Sequence, residues 1–262
     1  RSLVSTPDVA AAMAATDVYG DNMTDNALLP RHVAVIMDGN GRWAQKNKVS
    51  RLAGHNAGML AMKEIIKRAD VLGIKYLTVY AFSTENWKRS REEVGGIFSL
   101  LVKYVASELE ELHRNNVKVA ILGDYNQIPR TAVASIDKAL ATTKNNGGLN
   151  FNIALNYGSR QEITRAVRKI AELVQNGSIT TDQIDQETVS RYLYTGEENG
   201  FIPDPDLIIR ASGEERISNF LLWQCAYSEF AFSDSLWPDF TPDEFESIVG
   251  QYASRDRRFG GR

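Results

Sequence analysis

The chain has 262 residues, 43% of them apolar and 24% charged, a composition that supports a folded core and excludes wholesale disorder. Its formal net charge of −3 argues against a nucleic-acid binder working by bulk electrostatics, so any anion site must be built from a few local arginines. No apolar run approaches the roughly 18 residues that span a bilayer, and the single cysteine, Cys225, excludes an internal disulfide and reads as a buried, inert thiol in a reducing, cytoplasmic setting.

Residues 1–29 differ from the rest through the run Ala10–Ala15 followed by Asp17, Asp21 and Asp25. A signal peptide needs a longer apolar core and a transit peptide is poor in acids, so we expect a flexible N-terminal appendage. From His32 onward, β-branched apolar runs alternate with helical patterns, the signature of a parallel sheet covered by helices. Strands are predicted at His32–Met37, Lys75–Phe82, Val117–Leu122, Leu149–Asn156, Asp206–Arg210 and Glu229–Ser233. Helices are predicted at about 56–72, 91–115, 129–145, 159–175, 182–194 and 242–254. Asp182 and Thr241-Pro242 supply start signals for the last two helices, and Gly73 and Gly147-Gly148 supply stops. The expectation is a single α/β domain over 30–262, with a central, mostly parallel six-stranded sheet flanked by helices. Val94, Ile97, Phe98, Leu101, Val102, Val105, Leu109 and Leu112 share one face of the helix at 91–115. That stripe either packs on the sheet or in part lines a hydrophobic tunnel, whose depth would depend on Ile97, Leu101 and Leu149.

Residues that carry chemistry collect after the strands. The first strand leads into Asp38-Gly-Asn-Gly-Arg-Trp43 and on to Arg51 and Gly54-His55, and the second into Ser83-Thr-Glu-Asn-Trp-Lys-Arg89. The fourth ends at Asn156, and the fifth in Arg210, followed by Ser212-Gly-Glu-Glu-Arg-Ile-Ser218. In a parallel sheet these ends share one edge, where open α/β folds bind their ligands, and glycines let backbone approach a bulky anion. Arg42, Arg51, Arg89, Arg210 and Arg216 would repel one another in an empty site. They suit two diphosphates side by side, because a guanidinium grips phosphate oxygens through two bonds. Mg²⁺ needs only one or two carboxylates plus phosphate oxygens, and Asp38 is the best-placed first ligand. Taken alone, Asp38 serves equally as a helix cap, Trp43 and Trp87 as packing residues, and Glu229 as an ordinary strand-end carboxylate. His55 likewise suits a helix start, and Arg257 and Arg258 a solvated basic tail. There is no G-x-x-x-x-G-K-[ST], and Gly39-Asn-Gly41 lacks the third glycine of G-x-G-x-x-G, which weakens kinase-like and dehydrogenase readings. Three histidines are too few for a His-rich zinc site.

Met37-Asp-Gly-Asn-Gly-Arg-Trp-Ala44, Gly54-His55, Phe82-Ser-Thr-Glu-Asn-Trp87 and Arg216-Ile-Ser-Asn-Phe-Leu-Leu-Trp-Gln224 follow one another in this order. With these motifs the chain, from about Pro30 to Gly261, closely resembles the cis-prenyltransferases, most of all their bacterial undecaprenyl diphosphate synthase branch. The resemblance implies a Mg²⁺-dependent homodimer that elongates an allylic diphosphate such as farnesyl diphosphate with isopentenyl diphosphate. A long lipid product for cell-wall synthesis implies peripheral membrane contact at release. By position, Asp38 resembles the aspartate that binds Mg²⁺ and assists departure of the allylic diphosphate. Gly39, Asn40, Gly41 and Arg42 match the loop cradling that diphosphate, with Trp43, Arg51 and His55 beside it. Ser83, Thr84 and Glu85 match a substrate-contacting loop, Asn86 the position assigned as proton acceptor, with Trp87 and Arg89 adjacent. Arg210, Arg216, Ile217 and Ser218 match the isopentenyl diphosphate subsite, Glu229 a second metal-linked carboxylate, and Arg258-Phe-Gly260 a tail reaching the partner subunit. An amide is a poor base, so Asn86 is expected to orient the group that takes the proton. Two positions depart from the pattern: Ala211 stands where Thr is common and Ser90 where Pro is common. A hydroxyl lost beside Arg210 is expected to weaken one phosphate contact or one orienting hydrogen bond, worth about 0.5–1.5 kcal/mol. The alternatives to the long-chain enzyme are a short-chain cis-synthase, a noncatalytic prenyl-binding subunit, and a phosphatase or nucleotide-binding module.

Overall fold

The computed structural model describes residues 29–254. The expected appendage at 1–29 therefore lies outside the described residues except for Leu29, which packs against the main core. The basic tail at 257–260 lies outside them too.

All six expected strands form: β1 His32–Ile36, β2 Tyr76–Ser83, β3 Lys118–Leu122, β4 Asn150–Tyr157, β5 Leu207–Arg210 and β6 Glu229–Phe232. They make one sheet in the order β3-β4-β2-β1-β5-β6, and every neighbouring pair is parallel, so the sheet is wholly rather than mostly parallel. β1 is buried along its whole length, as a central strand covered on both faces must be. Alternation divides it: Val33 and Val35 enter one core, while Ala34 and Ile36 enter another on the opposite face.

The helices are α1 Asn40–Lys46, α2 Arg51–Val71, α3 Arg91–Arg114, α4 Arg130–Thr143, α5 Ser159–Gln175, α6 Gln186–Tyr192 and α7 Pro242–Ala253. Three findings differ from expectation. α1 was not expected, because its glycines and polar residues carry no apolar period, and α2 begins at Arg51 because the Ser50 hydroxyl accepts from the Ala53 N–H at 3.1 Å. α6 is shorter than 182–194 because Asp185, not Asp182, caps it, accepting from the Thr188 N–H at 2.8 Å; Asp182 lies in the 3-10 turn Thr181–Gln183. Ser90 caps α3 through the Glu93 N–H at 3.2 Å, which accounts for a hydroxyl residue at that position.

One packing core lies between the sheet and α2 and α7, with Met62, Ile65, Ile66, Phe245 and Val249 meeting Val33, Leu77 and Val79. β1 is tied to β2 by a buried polar chain as well. Asn152 donates to the Thr78 hydroxyl at 3.0 Å, Thr78 pairs with His32 Nε2 at 2.7 Å, and His32 Nδ1 donates to the Pro203 carbonyl at 2.6 Å. The chain closes with a neutral imidazole, and burial pushes the His32 pKa down to about 4.

Candidate active site

After β1 the chain crosses to β2 on one side, while β5 lies on the other, so the β1/β5 boundary is a switch point with a crevice above the strand carboxyl ends. Asp38, just past β1, spans it: its Oδ2 accepts from Arg210 Nη2 at 2.9 Å, at the end of β5, and from Arg42 Nη2 at 3.3 Å. Burial alone would raise the Asp38 pKa. Hydrogen bonds from Arg210 and Ser212 and the charges of Arg210 and Arg42 outweigh it and hold the carboxyl below its ordinary range. Asp38 is not a helix cap. Gly39 takes the N-cap position of α1 at φ 110, and a Cβ there would lie 3.0 Å from the Leu236 Cα, so both backbone conformation and space require glycine. Gly41 is helical, and a Cβ there would meet only the Arg51 guanidinium at 3.8 Å.

β2 runs into the 3-10 turn Thr84–Lys88, which is closed by the Asn86 side-chain oxygen accepting from the Ser83 N–H at 2.9 Å. The Asn86 amide nitrogen is thus a donor, not a base. Thr84 donates to Glu85 at 3.2 Å, and Asn219 donates to the other Glu85 oxygen at 3.1 Å. Beyond the turn, Glu93 of α3 gathers three expected site residues on one carboxylate: Arg89 at 2.9 Å, His55 at 3.1 Å and Arg51 at 3.5 Å. Burial lowers the His55 pKa, with help from the nearby Arg89 and Arg51 charges and against the pull of Glu93, so His55 is neutral near pH 7.

The loop after β5 is held in unusual backbone. Ser212, Ser218, Asn219 and Leu221 all have positive φ without being glycine, a concentration of strain typical of functional sites. Arg210 crosses beneath it, donating to the Ser218 hydroxyl at 2.7 Å and to the Arg216 carbonyl. Arg42 donates to the Ser212 hydroxyl at 2.6 Å, and Arg216 pairs with Glu214. Ala211 is fully buried in the main core. Its missing hydroxyl therefore does not face the site, contrary to the expected loss of a phosphate contact.

These elements enclose a polar cleft of about 570 Å³ lined by Asp38, Asn40, His55, Ser83, Glu85, Asn86, Arg89, Arg210, Arg216 and Ser218, together with Tyr80 and Asn219. Arg42 and Arg51 adjoin it through Asp38 and Glu93, and Gly39, Gly41, Thr84 and Ile217 belong to its bordering segments. A second, apolar cavity of about 90 Å³ lies between α2, α3 and the sheet, and Met37, Asn40, His55, Ala81 and Ile97 line both hollows. Leu101 lines the apolar cavity as expected, but Leu149 is buried in the core and does not.

Three expected residues are not brought to the cleft. The Trp43 indole donates to Asp239 at 2.7 Å, and the Trp87 indole donates to Asn156 at 2.7 Å with its ring edge-on to Phe82; neither lines the cleft. Glu229 opens β6, level with Leu207, whereas Phe232 is level with Arg210. It stands at the opposite edge of the sheet, roughly 10 Å along the strand at about 3.3 Å per residue. Within one subunit, Glu229 therefore does not reach the cleft that holds Asp38. Sequence reasoning missed Glu93, Ser212 and Asn219. The Ser90-x-x-Glu93 spacing marks a helix start, but only the fold shows that the Glu93 side chain turns to three cationic or titratable groups.

A family model described as "putative undecaprenyl diphosphate synthase" matches residues 36–260. An isoprenyl transferase of Clostridium perfringens is 49% identical over 233 residues, covering 89% of this chain and 90% of that protein. One from Bacillus subtilis is 48% identical over 233 residues, 89% of this chain and 88% of its own. Among solved structures, lavandulyl diphosphate synthase from Lavandula x intermedia, in complex with dimethylallyl diphosphate, superposes with a TM-score of 0.87 at 37% identity, over 90% of this chain and all of that one. A probable undecaprenyl diphosphate synthase from Campylobacter jejuni gives a TM-score of 0.71 at 33% identity, over 88% and 98%. An aspartate clasped by arginines at the switch point of a parallel sheet thus stands in a chain whose residues 36–260 match the family model, and the chain belongs to the undecaprenyl diphosphate synthase family of prenyltransferases.

Proposed function

We propose that this prenyltransferase condenses isopentenyl diphosphate with an allylic diphosphate, farnesyl diphosphate foremost, in a Mg²⁺-dependent reaction that builds a long cis-polyprenyl diphosphate of the undecaprenyl type. One observation carries the reading: the arginine-rich cleft and the apolar cavity share a wall, giving a charged head and a hydrocarbon tail adjoining places. The relatives' printed names point the same way.

The Gly39–Arg42 segment with Arg51, His55 and Arg89 takes the allylic diphosphate, and Arg210, Arg216 and Ser218 take the isopentenyl diphosphate, with Ser83, Thr84, Glu85 and Ile217 along the rim. Donors already fixed around Asp38 are worth most against charge that develops on a departing diphosphate, since they need no reorganisation at that moment. Among the described residues no cluster of three or more His, Cys, Asp or Glu forms a metal cage. Asp38 fits the mode in which Mg²⁺ takes one carboxylate and completes its shell with phosphate oxygens and water. Bound there, Mg²⁺ would supply Lewis-acid stabilisation of the leaving group. With its oxygen engaged by Ser83, Asn86 offers its NH₂ to a diphosphate oxygen and so orients the acceptor of the proton lost from the new product.

The exposed Phe232 on the edge strand β6 supports a homodimer. No helix among the described residues is long and apolar enough to cross a membrane; we propose a cytoplasmic enzyme that touches the bilayer peripherally at product release. Incubation with radiolabelled isopentenyl diphosphate, farnesyl diphosphate and Mg²⁺ is expected to yield labelled, solvent-extractable long-chain lipid on thin-layer chromatography. No labelled lipid contradicts the enzyme assignment, and a single short product contradicts the long-chain one.

A further inference from the structure

The apolar cavity is small. At about 90 Å³ it is below the 150 Å³ of an engineered cavity that just takes benzene, so a polyprenyl chain must part its walls. Two of those walls are α2 and α3, which ion pairs pin together at two places. Near the cleft, His55 meets Glu93. At the far end Lys63 meets Glu108 at 2.5 Å and Glu111 at 3.0 Å, and Lys67 meets Glu111 at 3.1 Å. Between the pins α2 rises through about 12 Å and α3 through about 22 Å at 1.5 Å per residue, and the cavity lies along this stretch, lined by Met59 and Met62 of α2 and by Ile97, Leu101 and Val105 of α3. Tyr104 and Leu112 line both the end of the cavity and a polar groove formed by Lys63, Lys67, Glu108 and Glu111. Only that wall separates the hydrocarbon space from the ion pairs.

We propose that the Lys63–Glu108–Glu111–Lys67 cluster is a clasp that holds α2 to α3 at the closed end of the cavity and limits how far a growing apolar chain can advance, making it a determinant of product length. This rests on the reading that the cavity takes the prenyl chain. The clasp suits a yielding stop. Its side chains are partly solvated, so the pairs exchange for water at small net cost when the helices part. The Tyr104 hydroxyl is buried at the seam with no hydrogen-bond partner, so it gains water on opening. None of the four charged residues lines the diphosphate cleft.

The test is the double variant Lys63→Met/Glu108→Gln, with the fully charge-reversed Lys63→Glu/Lys67→Glu/Glu108→Lys/Glu111→Lys as rescue. Product chains are expected to lengthen by one or more isoprene units, with the rate of the first condensation within about twofold of the parent; the rescue restores the parental distribution. An unchanged distribution, or one slowed equally at every length, overturns the proposal. Binding of n-alkyl diphosphates of increasing length, measured by calorimetry, needs no turnover. Parental affinity should stop rising at a length where the double variant still gains about fourfold per added methylene. Coincident plateaus overturn the clasp. A parent that binds this series yet makes no lipid overturns the proposed reaction and leaves the clasp standing.

Discussion

Asp38 is the residue on which the site turns, and its surroundings assign it an ionised state. With Arg210 at 2.9 Å and Arg42 at 3.3 Å, hydrogen bonds and positive charge hold the carboxyl's pKa below its ordinary value against the opposing effect of burial. Asp38→Ala should retain a cooperative melt, because Asp38 supplies no core packing, while turnover falls by about 10²–10³-fold, the loss typical of removing one preorganised electrostatic group. Steady-state kinetics beside thermal denaturation measure both, and a folded variant of parental activity contradicts the role. Asp38 and the arginines were legible in the sequence because each follows a strand end. Glu93 was not, since its partners Arg51, His55 and Arg89 come from two other elements and meet it only when α2 packs on α3. Glu229 shows the converse limit: it opens β6 as expected from the sequence, and the opening of a parallel strand lies at the sheet edge opposite the cleft, so a residue matched by motif alone is left away from the site.

At the scale of elements, the junction β1–Gly39–α1 places the site. Gly39 combines a positive φ with close approach to Leu236, whose neighbour Trp237 donates its N–H to the Asp38 carbonyl at 2.9 Å and its indole to the Gly58 carbonyl at 2.8 Å. Gly39→Ala should destabilise the fold by about 2–4 kcal/mol, from the left-handed backbone and the contact with Leu236 together. Urea denaturation reads this directly; a loss below measurement error contradicts the strain argument. The six strands were legible because buried parallel strands are near-continuous apolar runs, and α3 to α5 because their apolar faces repeat at helical spacing. α1 carries no such period, and the positive-φ residues of the Ser212–Leu221 loop are outliers that no residue type announces.

For the molecule as a whole, one open parallel sheet gathers residues more than 170 positions apart onto a single edge, as Asp38 and Arg210 illustrate. The same sheet sets a pH limit on stability through His32, buried between β1 and β2. Its folded pKa of about 4 lies below the unfolded value near 6.5, so the unfolded chain binds the extra proton between these values. The stability contributed by the neutral ring is present above pH 6.5 and declines as pH falls toward 4, by roughly 3 kcal/mol. NMR titration of the imidazole should find a strongly lowered pKa, and an ordinary value near 6.5 contradicts the buried neutral chain from Asn152 to Pro203.

The central claim, that a charged head and an apolar tail sit in two hollows sharing one wall, is tested most directly by a crystal structure with a non-hydrolysable farnesyl thiodiphosphate and Mg²⁺. The account predicts the diphosphate among Asp38, Arg42 and Arg89, with the hydrocarbon passing Met37, Ala81 and Ile97 into the space between α2 and α3. A diphosphate at the opposite edge of the sheet, or a tail lying outside the α2–α3 cavity, would contradict it.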